Sequence, residues 1–150
     1  MSVGLVSRTY IGELPYIDSF IQYYTSLGVS RFYLLLGRTH PGFKEMHSYL
    51  TDTQLYKDGK IQLIIMNESL IQYNKKAVVP YLKEDYILHV DCDEYLWFGQ
   101  DGATNTLPNY IQTTGCQNYY TFTWHMTTFR SKQEGLMQRA FTGNLCKSMC

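Results

Sequence analysis

Short apolar runs alternate with longer amphipathic stretches along this chain. In the amphipathic stretches apolar residues recur every three or four positions, which is the pattern of a helix with one buried face. Strands alternating with helices predict parallel β-α-β units, and therefore a single α/β domain with a mostly parallel sheet and helices on both faces. The predicted strands are Val3–Ser7, Arg31–Leu36, Lys60–Met66, Tyr86–Val90 and Tyr119–Trp124, and the predicted helices are Glu13–Leu27, Phe43–Leu50, Ser69–Leu82 and Leu107–Thr113.

Two of the predicted helices contain a proline. Pro15 fits the first turn of the helix over Glu13–Leu27, where its missing N–H costs nothing, and Gly28 follows the last turn. Pro80 lies near the end of the helix over Ser69–Leu82 and makes it less regular. The residues expected to form the apolar face of the first helix are Leu14, Ile17, Ile21, Tyr24 and Leu27.

Composition and charge narrow the class of protein. The chain has 150 residues, of which 45% are apolar and 17% charged, with 13 basic and 13 acidic side chains. This predicts one folded domain over residues 1–150, and the absence of a basic excess argues against nucleic acid as a partner. The first residues, Met1–Ser7, do not have the pattern expected of a signal peptide, and no apolar stretch of the sequence has the length expected of a membrane span. The four cysteines lack metal-ligand spacing, which favours free thiols and a cytoplasmic location.

Candidate binding residues follow from the predicted sheet. In open α/β sheets the ligand crevice lies outside the carboxyl ends of the strands. This rule selects Arg8 and Thr9 after the first strand, Arg38 after the second, Asn67 after the third, and the segment Asp91–Glu94 after the fourth.

The acidic segment is the strongest local signal. Asp91 and Asp93 are two positions apart as the chain leaves a buried strand, so their carboxylates point to the same side and repel each other. A divalent cation would relieve that repulsion, and carboxylate oxygens suit Mg²⁺ or Mn²⁺. A cation held there can stabilise the charge that grows on a diphosphate leaving group. His89 has the same parity, so a His-Asp-Asp metal site of a phosphoesterase is an alternative, and solvated loop acids are a third interpretation.

A pair of lysines precedes the acidic strand. Lys75 and Lys76 lie in the helix predicted over Ser69–Leu82, where a solvated helix face is the ordinary interpretation. Because the chain returns from this helix directly to Asp91, one of these lysines is also a candidate for contact with a bound phosphate.

The sequence from Val90 to Leu96, VDCDEYL, resembles the D-x-D-E-F-L motif of glycosyltransferases with the GT-A fold, in the family 2-like and family 92-like group. Phe20–Tyr24 followed by Leu27–Val29 resembles the group's E-W-I-E-Y-H…L-G-V helix, with Glu13 at the position of its preceding glutamate. Other matches, in the same order, are Gln72-Tyr73-Asn74 with Q…Y-N, Trp124 with W…F-G, and Lys147-Ser148 with K-S. Capsid-glycosylating enzymes of large DNA viruses are similar in being compact and in lacking a membrane anchor, and this resemblance implies a viral origin and the host cytoplasm.

The resemblance implies transfer of a sugar from a nucleotide-diphosphate sugar, usually a uridine one, to a hydroxyl of a glycan or glycoprotein, with Mn²⁺ or Mg²⁺ bridging the diphosphate. By position, Asp93 would ligate the metal, and Asp91 would contact the ribose or a metal-bound water. Arg8, Thr9, Arg38 and Lys75 or Lys76 would line the donor pocket. Glu134, the last carboxylate side chain in the sequence, is the candidate base of an inverting transfer.

The chain is short for this enzyme class and ends at Cys150 inside a predicted element, which suggests a GT-A-like domain that is minimal or incomplete at its C-terminus. A non-catalytic module that binds a nucleotide sugar is the alternative that involves no reaction. Trp97 and Trp124 are the aromatic residues favoured for stacking on a ring.

Overall fold

The protein folds around one sheet, seen in a computed structural model that describes residues 1–71, 75–96, 106–115, 120–128 and 139–149. At residues 75, 120–128 and 139–149 the description is of the backbone. The strands are β1 (Val3–Arg8), β2 (Arg31–Gly37), β3 (Ile61–Met66), β4 (Tyr86–His89), β5 (Tyr120–Thr128) and β6 (Arg139–Met149). The α-helices are α1 (Ile17–Ser26), α2 (Phe43–Asp52), α3 (Gln54–Lys57) and α4 (Leu107–Thr113).

The sheet has the strand order β3-β2-β1-β4-β6-β5. β1 pairs in parallel with β2 on one side and with β4 on the other, and β2 pairs in parallel with β3. β6 runs antiparallel to both β4 and β5. The expected mostly parallel α/β fold is therefore confirmed.

The two faces of the sheet are covered differently. The α-helices α1, α2 and α4 pack against the face that presents Val3 and Leu5 of β1. On this face the side chains of α1 predicted to be apolar contacts are buried, with Leu14 half-buried beside them. On the opposite face, Val6 and Ile87 are covered by Leu70, Val78 and Leu82.

Two predicted helices have the wrong extent. The structure has a short 3-10 helix over Ile11–Glu13, and α1 begins only at Ile17, so Pro15 lies in the turn between them. Within Ser69–Leu82 the described residues form two 3-10 turns, Lys75–Ala77 and Val79–Tyr81. A proline in a helix interior removes one hydrogen bond and clashes with the preceding turn, which explains why no long α-helix passes through Pro80. Among the described residues every helix is too short or too polar to span a bilayer.

Candidate functional site

The site lies where the order of the sheet reverses. β2 and β3 follow β1 on one side of it, and the chain then returns to place β4 on the other side. A ligand crevice in such a sheet forms at this reversal, outside the carboxyl ends of the two central strands. Here those ends belong to β1 and β4, and they carry Arg8 and Asp91.

Arg8 and Asp91 form an ion pair across this point. Val6 is the register partner of His89, so the positions two residues further on face each other. The Arg8 guanidinium donates from Nε to Asp91 Oδ1 at 3.0 Å and from Nη2 to Oδ1 and Oδ2 at 2.8 Å each. Both side chains are about one-third exposed, at 30% and 31%. The charge of Asp91 is thus balanced within the protein at the mouth of the crevice.

Glu13 is a third charged group at this place. Its carboxylate accepts a hydrogen bond from the backbone N–H of Tyr10, in the short segment that follows β1. Burial raises the pKa of Glu13 above its usual range, against the lowering effect of the Tyr10 N–H. The negative charges of Asp93 and Asp91 raise this pKa further. The Glu13 carboxyl is therefore close enough to be affected by three charged side chains, those of Arg8, Asp91 and Asp93.

The acidic loop, residues 91–96, follows β4. It is held by hydrogen bonds within the loop and by hydrogen bonds to α1. The Asp91 N–H donates to Glu94 Oε2 at 2.8 Å, and the Glu94 N–H donates to the Asp91 carbonyl at 2.9 Å. The Tyr24 hydroxyl donates to the Glu94 carbonyl at 2.8 Å and accepts from the Leu96 N–H at 3.0 Å. Asp93 stands between these contacts with an exposed side chain.

The residue between the two aspartates points into the core. Cys92 is 2% exposed, and its Sγ lies 3.3 Å from Ser7 Oγ. Burial raises the pKa of the Cys92 thiol to about 12. Thr9 is also buried, at 3% exposed. Its side chain is one of the groups that lower the pKa of the Cys92 thiol.

Arg38 lies at the carboxyl end of β2 and contacts the next strand. Its Nε donates to Asn67 Oδ1 at 3.0 Å, and its backbone N–H donates to the Met66 carbonyl at 2.9 Å. A groove of about 310 Å³ adjoins this end of β3 and is lined by Asn67, Glu68 and Ala77, among others. Lys76 is exposed on the 3-10 helix beside this groove.

Other predicted site residues are not placed. Glu134, Trp97 and the Gln72-Tyr73-Asn74 motif lie outside the described residues. The backbone of Lys75 is described and its side chain is not, and the same holds for Trp124, which lies at an irregularity in the pairing of β5 with β6.

A divalent cation at this site would need oxygen ligands from the protein. Within the described residues no group of three or more His, Cys, Asp or Glu side chains could hold a metal, so His89, Asp91 and Asp93 do not form the three-ligand site considered for a phosphoesterase. The oxygens of Asp91 are occupied by Arg8, which leaves Asp93 as the exposed carboxylate. Mg²⁺ in nucleotide sites is held by one or two carboxylates together with waters and the substrate's phosphates. The residues present fit that kind of cation site.

Sequence reasoning missed two residues at this site, Tyr10 and Glu13. Glu13 is predicted only at the start of a helix. The signal that could have identified their contact is a glutamate three positions after the residue that precedes a helix. A glutamate at that position can accept a hydrogen bond from the backbone N–H of the earlier residue. Their proximity to Asp91 and Asp93 depends on the parallel pairing of β1 with β4.

Comparisons with known proteins found similarity at the level of structure. No protein-family model matches the chain, and no curated protein matches it. Among solved structures, a mannosyltransferase of Pyrobaculum calidifontis in complex with GDP-mannose and Mn²⁺ is similar, with 16% sequence identity and a TM-score of 0.47. The similarity covers 66% of this chain and 29% of the length of the mannosyltransferase chain.

Proposed function

We propose that this chain is the donor-binding part of a metal-dependent glycosyltransferase of the GT-A type. It would transfer a sugar from a nucleotide-diphosphate sugar, with uridine as the expected base, to a hydroxyl of a glycan or glycoprotein. The observation that carries the proposal is the Arg8–Asp91 pair at the reversal of strand order, with the exposed Asp93 two residues further on. This is the position at which open α/β sheets bind nucleotides.

In this proposal Arg8 and Asp91 act on the donor together. A bidentate arginine–carboxylate pair holds both side chains in a defined orientation, and the guanidinium places positive charge beside the crevice. Asp91 would orient a ribose hydroxyl or a metal-bound water, and Arg8 would favour the negative diphosphate. Arg38 and Lys76 add positive charge along the neighbouring strand ends.

Asp93 is the residue that would hold Mn²⁺ or Mg²⁺. The cation, when bound, supplies positive charge that stabilises the diphosphate as it leaves. Asp91, by remaining paired with Arg8, would not compete for direct ligation. The metal would therefore depend on the nucleotide for most of its ligands, so nucleotide and cation should bind cooperatively.

In this proposal Glu134 would be the base that deprotonates the acceptor hydroxyl. A base removes the proton from the acceptor hydroxyl, whose oxygen bonds to the anomeric carbon as the bond to the diphosphate oxygen breaks. Such a displacement inverts the anomeric centre. Cytoplasmic location and viral origin stay predictions of the sequence.

The test is a transfer assay with mass-spectrometric detection. The protein is incubated with Mn²⁺, a panel of nucleotide sugars and a mixture of glycan acceptors, and products are identified by the added mass of one sugar. We expect one donor to give a glycoside and a nucleoside diphosphate in equal amounts. Asp93→Ala should lower the rate at least ~100-fold, because it removes the metal's protein ligand. Asp52→Ala, at an exposed aspartate at the end of α2, is the matched control.

Three other outcomes are informative. Binding of a nucleotide sugar without any transfer would favour the non-catalytic module. Release of sugar without a glycoside, equal in wild type and Asp93→Ala, would contradict the proposal. Hydrolysis of a generic phosphate ester that is lost in His89→Ala would favour the phosphoesterase.

A further inference from the structure

A buried tyrosine hydroxyl contacts the acidic loop at residues that follow Asp93 in the chain, which we call the far side of Asp93; the residues before it are the near side. Tyr24 Oη donates to the carbonyl of Glu94 and accepts from the N–H of Leu96, one and three residues after Asp93. We propose that Tyr24 is a positioning residue that holds the Asp93 carboxylate ready for the divalent cation of the donor. The inference rests on the function proposed above and adds to it a residue to which the motif assigns no role.

The surroundings of Tyr24 fix where its hydroxyl lies. Its side chain is 0% exposed, and its ring meets that of Phe20 edge-on at a centroid distance of 4.9 Å. The ring of Tyr95, from the acidic loop itself, stacks on it at 6.3 Å with 15° between the planes. A ring packed on several sides has little rotational freedom, so the oxygen is presented to the loop at one place.

Packing alone does not account for the hydroxyl. Phenylalanine would fill nearly the same space, and a buried O–H is tolerated only where it finds partners. The partners here are two backbone groups of one loop. Burial raises the pKa of Tyr24, so the hydroxyl keeps its proton and remains a donor at any working pH. The contact is therefore a constant restraint on the loop.

The near side of Asp93 is restrained independently. Asp91 is held by Arg8, and Cys92 is buried in the core. Asp93 is thus an exposed side chain between two fixed backbone segments. Because the loop is already ordered, a cation that binds this carboxylate does not lose free energy in ordering the loop. The affinity for the cation is therefore higher. Loss of the far restraint should weaken metal binding while Asp93 itself is intact.

A second tyrosine of α1 contributes one bond to the same loop. The Tyr23 hydroxyl donates to the Leu96 carbonyl, and its ring meets that of Tyr95 at 5.0 Å. Its hydroxyl touches one loop residue, whereas Tyr24 touches two. Tyr23→Phe should therefore have the same effect in a weaker form.

The experiment measures Mn²⁺ affinity by the electron paramagnetic resonance signal of free Mn²⁺, at saturating uridine diphosphate. Tyr24→Phe should bind Mn²⁺ about tenfold more weakly than wild type, because the loop that carries Asp93 loses both of its hydrogen bonds to the Tyr24 hydroxyl. Tyr23→Phe should bind it about threefold more weakly, and it carries the test if Tyr24→Phe does not fold. Hydrogen exchange of the Leu96 amide should be faster in Tyr24→Phe, since that N–H loses its acceptor.

Tyr33→Phe is the matched control for a purely structural effect. Tyr33 is also 0% exposed, and its hydroxyl donates to Glu84 at 2.6 Å and accepts from the Lys83 N–H at 3.1 Å. These contacts lie at the opposite, amino end of the strands. Tyr33→Phe should therefore lose stability and keep the Mn²⁺ affinity of wild type.

Each remaining outcome decides against the inference in a distinguishable way. Unchanged Mn²⁺ affinity in Tyr24→Phe, an equal loss in Tyr33→Phe, or unchanged Leu96 exchange would overturn the positioning role and leave the proposed function standing. Failure of folded wild-type protein to bind Mn²⁺ with the nucleotide would overturn both.

Discussion

Gly42 allows the loop after β2 to turn into α2. Its φ is +74°, a left-handed conformation that L side chains rarely adopt. A Cβ at this position would also lie 2.5 Å from the Cβ of Ile11. Because Ile11 is β-branched, its side chain cannot easily move aside. Gly42 thus lets the loops that follow β1 and β2 approach each other.

Replacing this glycine should destabilise the protein. We expect Gly42→Ala to lower the free energy of unfolding by about 1–3 kcal/mol, from backbone strain and the clash with Ile11. Gly12→Ala is the control, since nothing lies within 4 Å of its would-be Cβ. It should be neutral or stabilising by up to about 1 kcal/mol. Urea denaturation of both variants checks this, and equal effects would refute the role given to Gly42.

The buried thiol between the two aspartates should be chemically inert. Because burial raises the pKa of Cys92 to about 12, almost no thiolate exists at pH 8, and thiolate is the reactive form. Iodoacetamide should leave Cys92 unmodified in the folded protein and alkylate it in urea, as read by peptide mass spectrometry. Alkylation of Cys92 in folded protein as fast as in urea would show that the loop is not packed as described.

Some residues of the candidate site could be predicted from the sequence, and others could not. Arg8 and Asp91 were predicted because each directly follows a recognisable strand, and Asp93 because it lies two positions after Asp91. Glu13 was not recognised as a site residue because its carboxylate reaches the site through a turn that folds back on Tyr10. Such a contact depends on the path of the chain in three dimensions, and apolar periodicity carries no information about it.

At the scale of elements, β2 is tied to the start of β4 by a polar cluster at the amino end of the sheet. Glu84 is paired with Arg31 at 3.1 Å and accepts a hydrogen bond from Tyr33 at 2.6 Å. Burial and the bond to Glu84 raise the pKa of Tyr33 to about 12. The protonated phenol is therefore the form that stabilises the folded state.

This cluster predicts a pH dependence above pH 10. Below that pH the phenol is protonated in both the folded and the unfolded chain, and its contribution is complete. Between pH 10 and about pH 12 the unfolded chain loses the proton first, so the contribution falls as pH rises. The difference in unfolding free energy between wild type and Tyr33→Phe should shrink over this window. A difference that is constant from pH 8 to pH 12 would contradict the assignment.

Elements were predictable where one periodicity dominated. α4 was predicted at its observed bounds, and β2 and β3 to within a residue. The segment Ser69–Leu82 was wrongly predicted as one helix because its apolar residues suit a helix face. Leu70 and Val78 are indeed buried, but on a segment with 3-10 turns around Pro80. Tertiary burial set the apolar pattern there, and local backbone chemistry set the conformation.

At the scale of the whole molecule, the strand order concentrates charge at one edge of the sheet. β1 and β4 are adjacent in the sheet although they are far apart in the sequence. The 77 residues from 9 to 85 lie between the end of β1 and the start of β4. Their carboxyl ends bring a paired arginine and carboxylate beside an exposed carboxylate in a protein with no net charge. The equal numbers of acidic and basic side chains predict no polyanion partner. The local arrangement at the strand ends instead suits one small anion bound together with a cation.

The most direct test of this account is the melting temperature of the protein with uridine diphosphate, with and without Mn²⁺. A ligand at about 100 times its dissociation constant stabilises the folded state by about 2.7 kcal/mol. For a chain of this size that corresponds to a rise of about 5–10 °C. We expect this rise with nucleotide and Mn²⁺ together, loss of most of it in Asp93→Ala, and its retention in Asp52→Ala. The same melting temperature with and without the nucleotide and Mn²⁺, or an equal rise in Asp93→Ala, would contradict the account.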